Sequence, residues 1–132
     1  MDPTLVDCGT TKLGTPLKLN KHVVDADKVI IVDGITTHLF AGYGGGRKAV
    51  LPGCAAMETV RMNHSHMLSD KAGLGLMEGN PCYDDQMEGV ALFAKGRSLF
   101  LLNAILNAEH QCLRIFTGDY VKAHKEACKF VD

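Results

Sequence analysis

Lys28-Val29-Ile30-Ile31-Val32-Asp33, closed by Gly34, is the stretch on which the reading of the fold turns. Four β-branched residues in a row, bounded by charges and a glycine, are too short for an ordinary helix and show no polar alternation. The run predicts a strand covered on both faces, as in a parallel sheet. A glycine-rich loop follows, with Gly42, Gly44, Gly45 and Gly46 within five positions. In open α/β sheets, ligands collect beyond the carboxyl ends of the strands. The loop lies where such a site is expected.

Upstream, residues 4–8 and 17–20 read as short strands on either side of a turn-rich segment, and residues 21–26 as a short helix. Downstream, residues 55–70 read as a helix. Met57, Val60, His64, Met67 and Leu68 repeat at helical spacing, which places His64 on an inward apolar face and turns His66 elsewhere. Asn80 followed by Pro81 has the form of an N-cap and first helical residue. Asp84 and Asp85 then fall in the first turn, where the helix dipole favours acids. This helix is expected to run to Lys95, with Gly96 just past its end. Residues 97–104 and 111–117 read as strands around a polar turn at 107–110. Gly118-Asp119 opens a last helix with Tyr120, Val121, His124, Ala127, Cys128 and Val131 on one face. Strands and helices alternate, so the expected class is α/β, around a mostly parallel sheet. The last helix has no strand after it, so residues 1–132 read as one incomplete domain.

The bulk properties narrow the function. The 132 residues are 46% hydrophobic and 22% charged, with a formal net charge of −1. That balance makes no electrostatic case for nucleic acid or an anionic membrane. No apolar run is long enough to span a bilayer, and the N-terminus lacks a signal-peptide pattern, so a cytoplasmic location is expected. The five cysteines are Cys8, Cys54, Cys82, Cys112 and Cys128. Odd in number and without a C-x-x-C, they read as reduced thiols. Met57, Met62 and Met67 read as core filler. His66, His110 and His124 read as structural or surface residues.

The loop itself is of neither common type. A Walker A loop needs Gly-Lys-Ser/Thr, but Arg47 separates Gly46 from Lys48 and Ala49 follows. The dinucleotide pattern G-x-G-x-x-G fails at its third glycine, where Arg47 stands. The chemistry-bearing residues around it are His38, the Arg47-Lys48 pair and His64.

His38, F-A-G-Y-G-G-G-R before Lys48, V-L-P-G at 50–53 and Asn63-His64 together resemble the signature of the lactate racemase family. The spacing from His38 to Lys48 and from Lys48 to His64 matches that family. So does the text of T-T-K-L-G-T-P-L-K-L-N near the start, E-G-N-P at 78–81, and F-T-G-D-Y-V-K-A-H-K-E-A-C near the end. The resemblance implies a racemase or epimerase of small 2-hydroxy acids that uses a nickel-pincer nucleotide. On it, Lys48 carries the cofactor through a thioamide bond, and His64 is the protein ligand to nickel. His38 is one of two acid/base histidines. The mechanism implied is reversible hydride transfer from the substrate Cα to the cofactor while a histidine takes the hydroxyl proton, leaving a planar 2-oxo acid. From chemistry alone, Arg47 and the backbone of Gly44, Gly45 and Gly46 are expected to contact a nearby anionic group.

The chain departs from the family in being much shorter. It has no D-x-x-R motif before His38, and its only earlier histidine, His22, lies outside the signature. The chain is therefore expected to be a fragment, a split gene product or a degraded paralogue. In isolation it is expected to be inactive and free of cofactor. The alternative reading is a non-catalytic nucleotide- or anion-binding fragment, or one subunit of a split enzyme. Either way, apolar surface left uncovered would favour self-association or a complementary domain.

Overall fold

The computed structural model describes residues 3–131. Strands β1 (Leu5–Thr10) and β2 (Pro16–Asn20) form an antiparallel hairpin, and α1 (Lys21–Val24) follows directly. Asn20 caps this short helix, its side chain accepting the His22 N–H. Strand β3 (Lys28–Gly34) contains the β-branched run. It pairs in parallel with β7 (Ser98–Leu106), which pairs antiparallel with β8 (Cys112–Asp119). Between β3 and β7 lie β4 (Thr37–His38), β5 (Ala41–Tyr43), α2 (Met57–Ser65), β6 (Gly73–Leu74) and α3 (Pro81–Ala94). Helix α4 (Tyr120–Val131) ends the described chain. The class is α/β, as expected, with sheets only partly parallel: β4 and β5 pair antiparallel, while β5 and β6 pair in parallel.

Leu17 and Leu19 of β2, Ile31 of β3, Leu101 of β7, Val90 and Phe93 of α3 and Ala123 of α4 share one buried cluster with Val50 and Leu51. The inner side of the β3–β7–β8 sheet and helices α3 and α4 thus close on the segment that follows the glycine loop. A smaller cluster of Ile35, Tyr43, Ile105, Ala127 and Cys128 seals the other end of α4.

Two expectations are corrected. Strand β3 is covered on one face, not both: Ile31 is 3% exposed, but Ile30 and Val32 are each 69% exposed. Phe100 of β7 pairs with Ile30, Ile115 of β8 lies further across, and both are exposed. The β-branched run therefore marks an apolar outer sheet face with nothing packed on it among the described residues.

Helix α2 is turned from the face its periodicity suggests. Met57 is 63% and Leu68 83% exposed, whereas Thr59 and Asn63 are buried. Polar neighbours decide this rotation. Thr59 Oγ1 donates to the Pro16 carbonyl and accepts the Lys18 N–H, which pins α2 to β2. Asn63 Nδ2 donates to Asp85 at 2.7 Å. Asp85 in turn is buried rather than lying on the dipole-facing surface of α3, and accepts from Thr11 and Thr15 of the hairpin turn.

Candidate functional site

After β3 the chain makes a small hairpin before the glycines begin. Strands β4 and β5 pair across a turn at Leu39-Phe40, and His38 itself closes that turn. Its Nδ1 accepts the Ala41 N–H at 3.2 Å and the Phe40 N–H at 3.5 Å. With Nδ1 an acceptor, the neutral ring carries its proton on Nε2.

Phe40, at the tip, is where the site residues meet. The His38 ring lies edge-on to it with centroids 4.6 Å apart, and the His64 ring edge-on at 5.2 Å. The Lys48 ammonium is 5.8 Å from the same ring centroid. His38 comes from β4, Lys48 from a 3-10 turn spanning Gly46–Ala49, and His64 from the last turn of α2. Three residues distant in sequence are thus gathered on one aromatic ring.

Burial and neighbouring positive charge shift all three groups towards their neutral forms. Burial, and then the Arg47 charge, depress Lys48 to about 8. Its Nζ makes no hydrogen bond or ion pair among the described residues. At pH 7 about a tenth of Lys48 is then the free amine, against roughly one part in three thousand of an ordinary lysine. Burial, followed by the charge of Lys48, also lowers both His38 and His64. A neutral imidazole is the form that accepts a proton or binds a metal. His64 Nε2 is buried and has no hydrogen-bond partner among the described residues. An unpaired buried nitrogen is costly unless something occupies it. No group of three or more His, Cys, Asp or Glu side chains able to hold a metal exists among the described residues.

Arg47 departs from the expectation of an anion contact at the loop. It is 1% exposed and faces inward. Its Nη2 donates to the Ala41 carbonyl at 2.7 Å and the Tyr43 carbonyl at 3.1 Å, and its guanidinium lies 4.2 Å above the Tyr83 ring. Nη1 stands 3.2 Å from His124 Nε2, which is also 3.0 Å from the Gly44 carbonyl. Arg47 and His124 form a clamp beneath the loop. The backbone cradle is reduced as well. Gly44 N–H donates to Thr36 O and Gly46 N–H to Asn103 Oδ1, leaving Gly45 the uncommitted N–H of the three among the described residues.

Phe40 and Asn103 are site residues that the sequence reading leaves out. Phe40 gives no signal beyond its place between His38 and the glycines. Asn103 does give one: it stands on the inward register of β7, between Leu101 and Ile105, where alternation calls for an apolar side chain.

The clamp has a pH signature. Burial, then the charge of Arg47, push His124 down to about 4. An unfolded histidine titrates near 6.5, so between these values the unfolded chain binds more protons and stability rises with pH. Stability is complete above about pH 6.5 and falls on acidification towards pH 4, by about 3 kcal/mol in all. His38 and His64 act in the same direction. Urea midpoints between pH 7.5 and 5 are expected to fall, and less steeply in His124→Asn; an equal slope in the variant contradicts the assignment.

Residues 1–75, which include His38, Lys48 and His64, match the family model for the lactate racemase N-terminal domain. The chain belongs to the lactate racemase family. It is 34% identical over 125 residues to the lactate racemase of Thermoanaerobacterium thermosaccharolyticum, covering 93% of this chain and 29% of that protein. It is likewise 34% identical over 132 residues to the lactate racemase of Lactiplantibacillus plantarum, covering 98% of this chain and 30% of that protein. The structure of the Thermoanaerobacterium thermosaccharolyticum lactate racemase apoprotein superposes with a TM-score of 0.91 at 32% identity, over 96% of this chain and 30% of that one. A Thermotoga maritima protein shares the fold, with a TM-score of 0.85 at 20% identity, over 99% of this chain and 37% of that one. The chain spans about three tenths of the length of the curated lactate racemases it matches.

Proposed function

We propose that this chain forms the cofactor-attachment part of a nickel-pincer-nucleotide-dependent racemase or epimerase of 2-hydroxy acids. The observation that carries the reading is the meeting of His38, Lys48 and His64 on the Phe40 ring, with His64 Nε2 buried and unpaired. Lys48 would hold the cofactor, since a partly neutral amine without an ion pair is free to form a covalent amide-type bond. His64 would give its Nε2 to the nickel, as neutral imidazole suits that metal. When bound, the group supplies an electron-pair acceptor for the substrate's Cα–H bond. His38 would take the substrate's hydroxyl proton and return it. In the neutral ring Nε2 carries the proton and the Nδ1 lone pair accepts from the turn, so taking the hydroxyl proton requires the Ala41 and Phe40 N–H groups to release Nδ1. Arg47 and His124 keep the loop in shape from below and leave the mouth to Lys48.

The test is metal analysis of the chain co-produced with the enzymes that build the cofactor. About one nickel per chain is expected, lost in His64→Ala but retained in His110→Ala. Nickel that survives His64→Ala contradicts the assignment.

One observation favours a second, compatible reading, that of a subunit needing a cover. The outer face of the β3–β7–β8 sheet exposes Ile30, Val32, Phe100, Leu113 and Ile115. Apolar patches of this kind mark protein contacts. Sedimentation velocity is expected to show concentration-dependent association, reduced by Ile30→Lys combined with Val32→Lys. A monomer at all concentrations contradicts it. The simple anion-binding alternative has less support, because Arg47 and two of the three loop N–H groups are already engaged.

A further inference from the structure

We propose that Asn80 is a positioning residue for this site: by holding the backbone of Phe40, it sets the point at which His38, Lys48 and His64 meet. The residue lies in the E-G-N-P run at 78–81, and capping a helix is only half of its work. Asn80 Oδ1 accepts the N–H groups of Cys82 at 3.0 Å and Tyr83 at 3.3 Å, closing the N-terminus of α3. Its Nδ2 donates to the Phe40 carbonyl at 2.8 Å and the Leu76 carbonyl at 2.9 Å. A primary amide offers two donors and an acceptor oxygen with two lone pairs, and Asn80 uses all of them.

The residue type matters. Serine or aspartate caps a helix as well as asparagine does. Neither offers two donors to a pair of carbonyls while its oxygen serves the helix. Asn80 is 0% exposed, so its own amide has no water to turn to, and it meets the two carbonyls in part-buried surroundings. The carbonyl it holds belongs to Phe40 itself, at the tip of the β4–β5 turn. Helix α3 is anchored in the main core through Val90 and Phe93, so it serves as the fixed reference. The sequence of contacts runs from α3 to Asn80, to the Phe40 backbone, to the Phe40 ring, and so to the two imidazoles and the amine.

The functional meaning of this inference rests on the racemase reading of the site, but its contacts exist in the chain without cofactor. It is therefore tested on the 132-residue chain alone, by the histidine ring proton resonances at fixed pH. Both imidazoles lie edge-on to an aromatic ring, so their shifts report its position. Asn80→Ser keeps an oxygen for the helix cap and removes the amide nitrogen that holds the Phe40 and Leu76 carbonyls. In the folded variant His38 and His64 resonances are expected to move together, while those of the exposed His22 and His110 stay. Unchanged His38 and His64 resonances in folded Asn80→Ser overturn the proposal. Phe40→Leu is expected to move the same two residues, and if either stays, Phe40 is not their common support. A third arm needs no variant: the Asn80 side-chain amide protons are expected to exchange with solvent slowly in the native chain, and rapid exchange overturns the proposal. Failure to load nickel would count against the cofactor reading and leave all three results unaffected.

Discussion

Asp85→Ala is expected to destabilise the chain by about 4 kcal/mol, because it strands several buried donors at once. The Asp85 carboxylate is 1% exposed and collects hydroxyl donors from Thr11 and Thr15 and the amide of Asn63. These come from the β1–β2 turn and from α2, so one carboxylate on α3 joins three parts of the chain. Hydrogen bonds to an ionised acceptor are roughly twice as strong as neutral ones. Without it, Thr11, Thr15 and Asn63 stay buried with unmet donors. Urea unfolding measures the effect, read from the midpoint at constant slope. A loss below about 1 kcal/mol, the typical worth of one ordinary hydrogen bond, contradicts the assigned role.

Gly46→Ala is expected to cost about 3 kcal/mol and to displace Lys48 as well. Gly46 has φ +56°, in the left-handed region, where a side chain adds roughly 1–2 kcal/mol. An added Cβ would also stand 2.6 Å from His124 Cδ2. The His124 ring has little room to yield, because its Nε2 is placed between Gly44 O and Arg47, and Cys128 Sγ lies 3.6 Å from its Nδ1. Strain therefore passes into the clamp that shapes the loop. The variant is expected to lower the urea midpoint and to alter the rate at which a dilute acylating reagent modifies Lys48. Wild-type stability together with wild-type labelling contradicts this account.

The parts of the fold that are legible in the sequence are those where one physical signal dominates. Asn80-Pro81 gives the start of α3 because a cap and a proline act locally, and the helix begins at Pro81. The apolar face of α4 holds, with Ala127 and Cys128 buried and His124 beside them. Strands β3, β7 and β8 follow from their apolar runs. Periodicity misleads in helix α2 because its partners are polar: the carbonyl of Pro16 and the carboxylate of Asp85 recruit Thr59 and Asn63, and the methionines are left outside. Strands β4 and β6 have two residues each, too few for any period to register.

In the site, the spacing of His38, Lys48 and His64 is legible through family likeness. The ring that gathers them is not, since a lone phenylalanine in a loop carries no pattern. The inward turn of Arg47 escapes the sequence for a general reason. A charged side chain is expected at the surface, and only coordinates reveal that two carbonyls, an imidazole and the Tyr83 ring receive it inside.

The central claim is that Lys48 is the point at which a cofactor is attached. Peptide-level mass spectrometry of the chain, co-produced with the cofactor-building enzymes, tests it most directly. The account predicts an added mass confined to the peptide containing Lys48 and absent from Lys48→Arg. An unmodified Lys48 peptide alongside nickel-loaded chain, or an added mass on another lysine, would contradict it.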